Sequence, residues 1–379
     1  MNILIAPNAF KNSLNATDVA EAIREGFMLS QLNCNAVCFP IADGGDGTGR
    51  LIVEKCNGKL LYREVHDPLG RKINSPFGLI DNGKTAVIEM ADASGLRLLK
   101  KDELDPLQAS SYGTGELIKF ALDEGVTKII IAMGGSATVD GGCGILHALG
   151  ATFLDANERS LRAVPGDLIN MAKVDISGFD KRIAGCEIVV LCDVENKLLG
   201  QQGSAYVFGP QKGATPAEVN LLENFLKNFA EVSTEYGIDM AGAKHSGTAG
   251  GAAAGLYAFL NAKLVNGIDY FLSLTNFDNA LQDADVLVTG EGSIDLQTLH
   301  GKGPYGVALK AKMKNIPVIG IAGQVPLDTD DELQLYFDAL ISINNEPTDI
   351  ATAMNHTRKN LVRTATSIGN LLMIRMRKR

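Results

Sequence analysis

Short runs of apolar residues, rich in isoleucine and valine, recur along the chain between longer stretches of mixed polarity. Such runs are typical of strands inside a parallel sheet, because helices cover both faces of that kind of sheet. The strands predicted in this way are residues 2–6, 85–90, 128–132, 187–191, 285–288, 317–321 and 338–343.

Several of the intervening stretches place their apolar residues on one helical face. The predicted helices are residues 17–30, 105–124 and 303–314. In the first of them Ala20, Ile23 and Phe27 share a face, and we expect Thr17 to cap the helix. Strands that alternate with helices predict an α/β fold.

Residues 59–90 differ from the rest, because they show short strands and turns, with a hairpin at residues 81–83. A chain of 379 residues is long enough for two domains. We expect the first and last strands to share one discontinuous lobe, residues 1–58 with 285–379. Residues 59–284 are then expected to form an inserted α/β lobe.

Composition and charge exclude some partners. The formal net charge is −9, tryptophan is absent and aromatic residues make up 6% of the chain. Such a chain repels nucleic acid and offers few rings on which bases could stack. No apolar run approaches the ~20 residues that cross a bilayer, so we expect no membrane partner. The six cysteines lack metal spacing and the N-terminus lacks a secretory signal, which predicts reduced thiols in a cytoplasmic protein.

The 41 glycines cluster in four loops at the ends of predicted strands, beside acidic residues. These loops are residues 42–48 (ADGGDGT), 134–144 (GGSATVDGGCG), 248–255 (TAGGAAAG) and 289–295 (TGEGSID). Glycine lets the backbone approach a phosphate closely, although it also closes ordinary turns. Because ligands of open α/β sheets bind at the carboxyl ends of strands, the loops predict a site for an anion or a nucleotide. The candidate residues are Asp43, Gly44, Gly45, Asp46, Gly134, Gly135, Ser136, Gly250 and Gly251.

Two motif matches do not predict the usual nucleotide-binding loops. Residues 78–85 match the Walker A pattern, but this loop leads into a strand rather than a helix, so a hairpin explains it better. Residues 301–306 match GxGxxG without a clear preceding strand, so they are not a dinucleotide fingerprint. Lys302 is nevertheless a candidate anion ligand, because Pro304 suits the first turn of a helix.

The groups that phosphoryl transfer needs are carboxylates for magnesium, cations for phosphates and an acceptor for the hydroxyl proton. Asp193 follows a predicted strand and is a candidate base or metal ligand, with a turn-capping aspartate as the alternative. Glu291 and Asp295 are candidate magnesium ligands or, alternatively, first-turn acids of a helix. Lys11 and Lys212 lie in polar loops, where each either binds a phosphate or is simply solvated.

Other polar residues carry weaker signals. Asp43 and Asp46 either contact a ligand or form Asx turns. His245 and His300 lie near glycine-rich loops and are weaker candidates for ligand contacts.

Eight stretches of the chain together resemble one family. In order they are IAPNAFKNSL, ADGGDGT, MGGSATVDGG, CDVEN, FGPQKGA, TAGGAAAG, VTGEGSIDLQTLHGKGP and VIGIAG. The chain resembles, over nearly its whole length, the type I glycerate kinases, the bacterial glycerate 2-kinase group. All eight stretches in one order are far more specific than a shared fold.

The resemblance implies a two-lobed α/β enzyme. One lobe would hold a Rossmann- or flavodoxin-like parallel sheet with helices on both faces, and the other a different α/β fold inserted into it. The implied reaction uses ATP and Mg²⁺ to phosphorylate glycerate, usually to 2-phosphoglycerate, in glyoxylate, organic-acid or sugar-acid breakdown. A kinase for another small hydroxy acid and a nucleotide-dependent α/β dehydrogenase are the alternatives. The protein is expected to be a monomer or a homodimer.

The resemblance also implies roles for the site residues. Lys11 would bind the glycerate carboxylate or the transferring phosphoryl group, and Asp193 would deprotonate the attacking hydroxyl or hold magnesium. Glu291 and Asp295 would complete the metal or substrate site. The residues expected to bind substrate or phosphate are Ser13, Asp43, Gly44, Gly45, Asp46, Gly134, Gly135, Ser136, Lys212, Gly250, Gly251 and Lys302.

The chain departs from the family pattern at several positions. The family often has Asp-Ser, Glu, Asn and Arg where this chain has Asn8-Ala9, Asp46, Val139 and Ser293. The last change matters most, because an arginine there would hold a carboxylate or phosphate by two hydrogen bonds, and Ser293 lacks that fork. This change therefore bears on substrate affinity and on substrate identity, and Lys302 is a candidate to compensate for it.

Overall fold

The structure, a computed structural model, describes residues 1–299, 301–328 and 331–376. The strands of these residues are β1 Asn2–Ile5, β2 Asn35–Cys38, β3 Lys59–His66, β4 Lys72–Ile80, β5 Thr85–Glu89, β6 Lys128–Ala132, β7 Thr152–Leu154, β8 Ser160–Leu161, β9 Lys173–Asp175, β10 Glu187–Cys192, β11 Lys263–Asn266, β12 Val286–Ser293, β13 Val318–Gln324 and β14 Ala339–Ser342. The α-helices are α1 Ala16–Leu29, α2 Thr48–Lys55, α3 Met90–Ser94, α4 Tyr112–Asp123, α5 Cys143–Ala148, α6 Pro165–Leu168, α7 Ser204–Phe208, α8 Pro216–Ser233, α9 Ala252–Leu260, α10 Gly267–Leu274, α11 Phe277–Ala280, α12 Gly303–Met313, α13 Asp331–Gln334, α14 Ile350–Asn355 and α15 Thr357–Met376.

The chain divides into two compact units. The first unit is Met1–Asp43 with Ile268–Arg379, and the second unit is Gly44–Gly267. Residues 44–58 belong to the second unit because α2 packs on β4 and β5. The lobe boundaries expected from the sequence, after residue 58 and before residue 285, stay a prediction.

The first unit contains a five-stranded sheet in the order β14-β13-β12-β1-β2, and every pairing is parallel. Counted in chain order along this sheet, the strands follow the flavodoxin-like order 2-1-3-4-5. Ile3 and Val286 are paired on β1 and β12, and both pack in one cluster with residues of α1 and α15. Leu4 and Leu287 are buried as well, and α12 packs against β12 and β13. The predicted parallel sheet between layers of helices is thereby confirmed.

Helix α1 shows how local sequence sets an element boundary. The predicted cap, Thr17, is wrong, because the helix begins earlier, at Ala16, with Asn15 as its N-cap. Asn15 has an extended backbone, and its Oδ1 accepts a hydrogen bond from Asp18 N at 2.9 Å. Such a bond satisfies one of the unpaired amides of the first turn. Further along α1, Gly26 leaves room for a close approach to α15, since a Cβ there would lie 2.6 Å from Ala365 Cβ.

The second unit contains a six-stranded sheet in the order β11-β10-β6-β5-β4-β3. The pairings from β11 to β5 are parallel, and β4 and β3 are added antiparallel. A three-stranded antiparallel sheet, β8-β7-β9, lies in the same unit. The predicted hairpin at residues 81–83 is confirmed, since β4 and β5 pair antiparallel across it and Asn82 and Gly83 have positive φ. Residues 78–85 therefore form a hairpin and not a Walker A loop.

Two general features of the described residues bear on function. None of their helices is both long enough and apolar enough to cross a lipid bilayer. All six cysteines are free thiols, and Cys143 and Cys192 are buried.

Candidate active site

The five-stranded sheet reverses its direction of growth between β1 and β12. The chain passes from β1 to β2 on one side, and from β12 to β13 on the other. In open α/β sheets this switch point leaves a crevice outside the carboxyl ends of the two central strands, where ligands bind. Lys11 follows β1, Asp43 follows β2 and Glu291 lies near the end of β12. The first unit therefore brings three of the predicted site residues to one edge of its sheet.

Asp43 is held at the start of helix α12. Its Oδ2 accepts hydrogen bonds from Asn8 Nδ2 at 2.9 Å and from Gly303 N at 3.3 Å. Lys302 is the N-cap of this helix, and Pro304 lies in its first turn, as the sequence predicted. A carboxylate at this position is stabilised by the positive end of the helix dipole. The anion at this helix start is thus one that the chain itself supplies.

Glu291 is a buried carboxyl group with charged neighbours. It is 8% exposed, and Thr298 Oγ1 donates a hydrogen bond to its Oε1 at 3.0 Å. Burial raises the pKa of Glu291 to about 7; the negative charge of Asp43 adds to this rise, and Lys302 and Lys11 oppose it. These two carboxyl groups and two lysines therefore share one electrostatic environment at the sheet edge.

Three neighbouring residues are engaged locally. Lys11 is exposed, on a tight turn in which Asn12 has a positive φ. The hydroxyl of Ser13 lies 2.7 Å from Met354 O, at the junction of α14 and α15. Asp295 Oδ1 accepts a hydrogen bond from Gln297 N at 2.8 Å, so this oxygen caps the following turn. The ligand roles of Lys11, Ser13 and Asp295 stay predictions.

Three of the four predicted glycine-rich loops meet within the second unit. Gly134 N donates to Gly44 O at 2.9 Å, and a Cβ on Gly134 would lie 2.4 Å from Gly45 Cα. Gly250 has a φ of +67°, and its absent Cβ would lie 2.1 Å from Thr138 O. Only glycine allows these approaches between backbones. The loops after β6 and before α2 and α9 therefore form one continuous surface.

Lys212 is buried beneath the loop that follows β6. It is 3% exposed, and its Nζ donates to Ser136 Oγ at 2.9 Å and to Thr138 O at 2.7 Å. Burial lowers the pKa of Lys212 to about 7, although the charges of Asp140 and Asp193 work in the opposite direction. The alternative of a solvated lysine is excluded. Its contact with a phosphate stays a prediction.

Two aspartates near Lys212 differ in their surroundings. Asp140 is fully buried, and its Oδ2 accepts hydrogen bonds from Ser111 N at 2.8 Å and Ser111 Oγ at 2.7 Å. Asp193 is half-buried directly after β10, and a Cβ on Gly44 would lie 3.3 Å from its amide nitrogen. Asp140 therefore has a clear structural function, while the chemical role of Asp193 stays a prediction.

Of the two candidate histidines, the structure describes His245 and not His300. His245 is 4% exposed, and its Nδ1 lies 2.7 Å from Val194 O. That contact ties it to the segment after β10. His300 lies outside the described residues.

A buried acid, Glu89, lies at the end of β5 and is not among the residues predicted from the sequence. Glu89 is 4% exposed, and its carboxyl oxygens accept hydrogen bonds from Gly47 N at 2.5 Å and Gly49 N at 3.1 Å, at the start of α2. Burial raises the pKa of Glu89 to about 8, and a hydrogen bond with Asp46 contributes to the rise. The signal that could have found it is the one used for Asp193, a carboxylate that ends a buried strand.

Arg97 joins this acid to two others. Its guanidinium contacts the carboxylates of Asp46 and Asp92 and lies 3.7 Å from Glu89 Oε1. Burial raises the pKa of Asp92 to about 6, against the effect of the Arg97 charge. The predicted residue Asp46 thus belongs to a group of three acids around one arginine.

No group of three or more histidine, cysteine, aspartate or glutamate side chains is placed to hold a metal ion within residues 1–299, 301–328 and 331–376. A magnesium ion bound mainly through phosphate oxygens and water needs only one or two carboxylates. Within the described residues, the side chains therefore do not form a metal cage of protein groups alone.

A flavodoxin-like sheet with acids and lysines at its switch point, together with glycine-lined loops in a second α/β unit, is typical of enzymes that act on phosphorylated ligands. Residues 3–373 match the family model described as the glycerate kinase family. The chain belongs to the glycerate kinase family, as the resemblance predicted.

Relatives cover the chain almost completely. It is 42% identical over 369 residues to the glycerate kinase of Bacillus subtilis (strain 168), a match that spans 97% of each chain. It is 43% identical over 378 residues to the glycerate 2-kinase of Escherichia coli (strain K12), covering 100% of this chain and 99% of that protein. A crystal structure from Salmonella typhimurium LT2, provisionally named glycerate kinase 2, matches with a TM-score of 0.83 and 42% identity over 100% of this chain and 99% of that chain. Membership of a kinase family implies a nucleotide substrate and a small-molecule acceptor.

Proposed function

We propose that this protein transfers the terminal phosphoryl group of ATP to glycerate, with Mg²⁺, and forms 2-phosphoglycerate in the cytoplasm. The observation that carries the proposal is the match to enzymes named glycerate kinase at 42% and 43% identity over nearly the full chain. A match of that extent spans the loops that would perform the chemistry, and an identity of 42% or 43% goes beyond a shared fold.

The first unit would bind the acceptor. Lys11 is an exposed cation whose charge reaches the Glu291 carboxyl group at the sheet edge. A lysine there would pair with the carboxylate of glycerate, and Lys302 would supply a second positive charge in place of the arginine fork that Ser293 lacks. Asp43 is already bonded to Gly303 N and Asn8 Nδ2, so its contribution would be to hold the start of α12 in place.

The second unit would bind the phosphates. The amides of Gly135 and Ser136 lie just after a buried parallel strand, and Gly135 has a positive φ, the geometry in which successive amides form an anion-binding concavity. Gly134 would contribute by fixing the loop, because its own amide already donates to Gly44 O. Gly250 and Gly251, also with positive φ, would add their amides from the loop before α9. Lys212 supports the loop after β6 from below, through its bonds to Ser136 Oγ and Thr138 O.

Asp193 would act on the attacking hydroxyl. It directly follows the buried strand β10, which fixes its backbone, and its side chain is half-buried rather than fully buried. A carboxylate held in this way is suited to orient a hydroxyl and accept its proton as the new bond forms. A role of the same carboxylate as a magnesium ligand is the alternative.

Magnesium fits the carboxyl groups of the first unit. The negative charge of Asp43 raises the pKa of Glu291, and a divalent cation beside the two groups would relieve this repulsion. Glu291 would hold the ion, with Asp295 reaching it through water. When bound, Mg²⁺ would neutralise charge that develops on the phosphate oxygens.

The test is an ADP-release assay of the purified protein with ATP and Mg²⁺, with and without D-glycerate. We expect release that depends on glycerate, and NMR of the product should show phosphate on the 2-hydroxyl. Parallel reactions with other small hydroxy acids test the alternative acceptor, and NADH absorbance tests a dehydrogenase. Absence of glycerate-dependent ADP release would refute the proposal.

A further inference from the structure

A cavity of about 250 Å³ opens beside the Glu89 carboxyl group in the second unit. One wall is the sheet face formed by Leu60 and Tyr62 of β3 and Pro76 of β4. The register places them together, because Tyr62 pairs with Pro76, and Leu60 pairs with Gly78. Leu60 thus faces a position that has no side chain of its own.

Helix α2 forms the opposite wall. It touches the sheet where Gly78 lies, since a Cβ on that residue would be 2.0 Å from Val53 Cγ2. Gly49 lets the helix sit directly over Glu89, whose Cβ would be 3.2 Å from a Cβ on residue 49. The two glycines bring α2 down over β4 and β5, and β3 remains uncovered beside it. The result is a narrow slot between a helix and an apolar sheet face.

Tyr62 is the exposed aromatic residue of this slot. It is 53% exposed, although large aromatic side chains usually bury most of their surface. Its neighbours Leu60 and Pro76 are apolar and half-buried. A flat ring could therefore lie on the tyrosine and cover apolar surface at the same time.

The inner end of the slot is acidic. It is lined by Glu89, Asp92 and Arg97, and Arg97 also contacts Asp46. One guanidinium thus faces three carboxyl groups, so the hydrogen-bond donors of the arginine are directed to acids of the chain. Arg50 also lines the slot, and with a pKa of about 8 the Glu89 carboxyl group is largely protonated near pH 7, so the charges here are nearly balanced. Hydroxyl and amino groups would find acceptor oxygens at these carboxyl groups.

We propose that this slot binds the nucleoside part of the nucleotide substrate, with the base on Tyr62 and the ribose hydroxyls donating to Glu89 and Asp92. A nucleoside combines a flat heteroaromatic ring with uncharged vicinal hydroxyls, which matches an apolar slot that ends in carboxyl groups. Acidic residues at strand ends bind ribose hydroxyls in other α/β folds. The inference rests on the proposed function for the presence of a nucleotide.

The position of the slot agrees with that of the proposed phosphate loop. Glu89 is paired in register with Ala132, the last residue of β6, and the loop that begins at Gly134 follows directly. Gly135 lies next to Asp46, whose Cβ would be 3.6 Å from a Cβ on the glycine. A nucleoside in the slot would therefore direct its phosphates toward the amides of Gly135 and Ser136.

The test compares ADP binding by calorimetry in the full-length wild type and three variants. Tyr62→Ala removes the stacking ring at an exposed position, and we expect the Kd for ADP to rise about tenfold. Tyr62→Phe retains the ring and should bind like the wild type. Leu60→Trp places a larger side chain on the apolar wall of the slot and should weaken ADP binding at least as much. Tyr257→Ala, at a half-exposed tyrosine of α9, is the matched control.

A second part of the test varies the ribose hydroxyls of the nucleotide. The wild type should bind ADP about tenfold more tightly than 2′,3′-dideoxy-ADP, and Asp92→Ala should narrow this difference. Normal ADP affinity in both Tyr62→Ala and Leu60→Trp would refute nucleoside binding in the slot, even if the wild type phosphorylated glycerate. Weakened ADP binding in these variants, with no turnover of glycerate by the wild type, would support the slot and refute the proposed acceptor. A wild type that bound no nucleotide would overturn both.

Discussion

Lys212 Nζ lies 2.9 Å from Ser136 Oγ and 2.7 Å from Thr138 O, and it is almost completely buried. A buried ammonium group is costly, and the cost is reduced here by two acceptors on the loop that we propose binds phosphate. The lysine therefore connects the shape of that loop to the interior of the second unit.

Replacing Lys212 should disturb nucleotide binding through the loop. In Lys212→Met the two acceptors lose their donor, and we expect the KM for ATP to rise about tenfold while the KM for glycerate changes little. Steady-state kinetics with each substrate varied in turn measures the difference. Equal changes in both KM values would contradict a role centred on this loop. Lys244→Met, at an exposed lysine of the same unit, is the control.

The same lysine predicts a pH dependence of stability. The pKa of Lys212 is about 7 in the folded protein, below its ordinary value of 10.5. Between those values Lys212 binds more protons in the unfolded chain than in the folded one, so its contribution to the free energy of unfolding should rise with pH from about 7 upward. The raised pKa of Glu89 acts in the opposite direction up to about pH 8, equally in the wild type and in Lys212→Met. Denaturant unfolding at pH 7 and pH 9 should show a larger gain in the wild type than in Lys212→Met. If the free energy of unfolding rose equally in both proteins, a group other than Lys212 would be responsible for the pH dependence.

Asp193 should affect turnover more than binding. Asp193→Asn retains the shape of the side chain but accepts a proton poorly, so kcat should fall by a factor of ~10² or more with little change in either KM. Asp102→Asn, at an exposed aspartate, serves as the matched control. A variant with wild-type kcat would remove Asp193 from the reaction.

Lys11 should distinguish the two substrates. In Lys11→Ala the proposed partner of the glycerate carboxylate is lost, and we expect the KM for glycerate to rise roughly tenfold to a hundredfold. Lys173→Ala, at an exposed lysine of β9, should leave the KM unchanged. If Lys11→Ala raised the KM for ATP alone, the lysine would bind the nucleotide instead.

Gly134 should tolerate no side chain. A Cβ there would lie 2.4 Å from Gly45 Cα, so Gly134→Ala must force two loops apart, at a cost of about 1–3 kcal/mol in the free energy of unfolding and a large loss of activity. In Gly185→Ala the new Cβ meets nothing within 4 Å, which makes it the matched control. Thermal unfolding and turnover of both variants test the expectation, which fails if they behave alike.

The sequence predicts the framework well because its signals are local. The run at residues 2–6 becomes β1 (Asn2–Ile5), and the Asn-Gly pair at residues 82–83 forms the hairpin that excludes a Walker A loop. Burial on both faces demands continuous apolar strands, and a turn with positive φ favours Asn and Gly. Such requirements involve only a few neighbouring residues.

The surroundings of the site residues could not be predicted in the same way. The Gly/Pro-rich sequence around Lys212 is also typical of a solvated lysine. In the structure, however, its ammonium group contacts a loop more than 70 residues earlier in the chain. The ion pair between Asp46 and Arg97 likewise joins distant segments. Sequence shows which residue types follow strands, but tertiary packing decides which of them meet.

The central strand β1 pairs with β12, and α1 packs along α15, so the first unit is completed only by residues from the far end of the chain. The second unit, Gly44–Gly267, is continuous. During synthesis on the ribosome, the second unit is therefore complete before β12 and α15, with which β1 and α1 pack, have been made. Truncation before β12 should accordingly expose the apolar edge of β1 to aggregation, whereas an isolated Gly44–Gly267 fragment is the part of the chain best placed to fold alone.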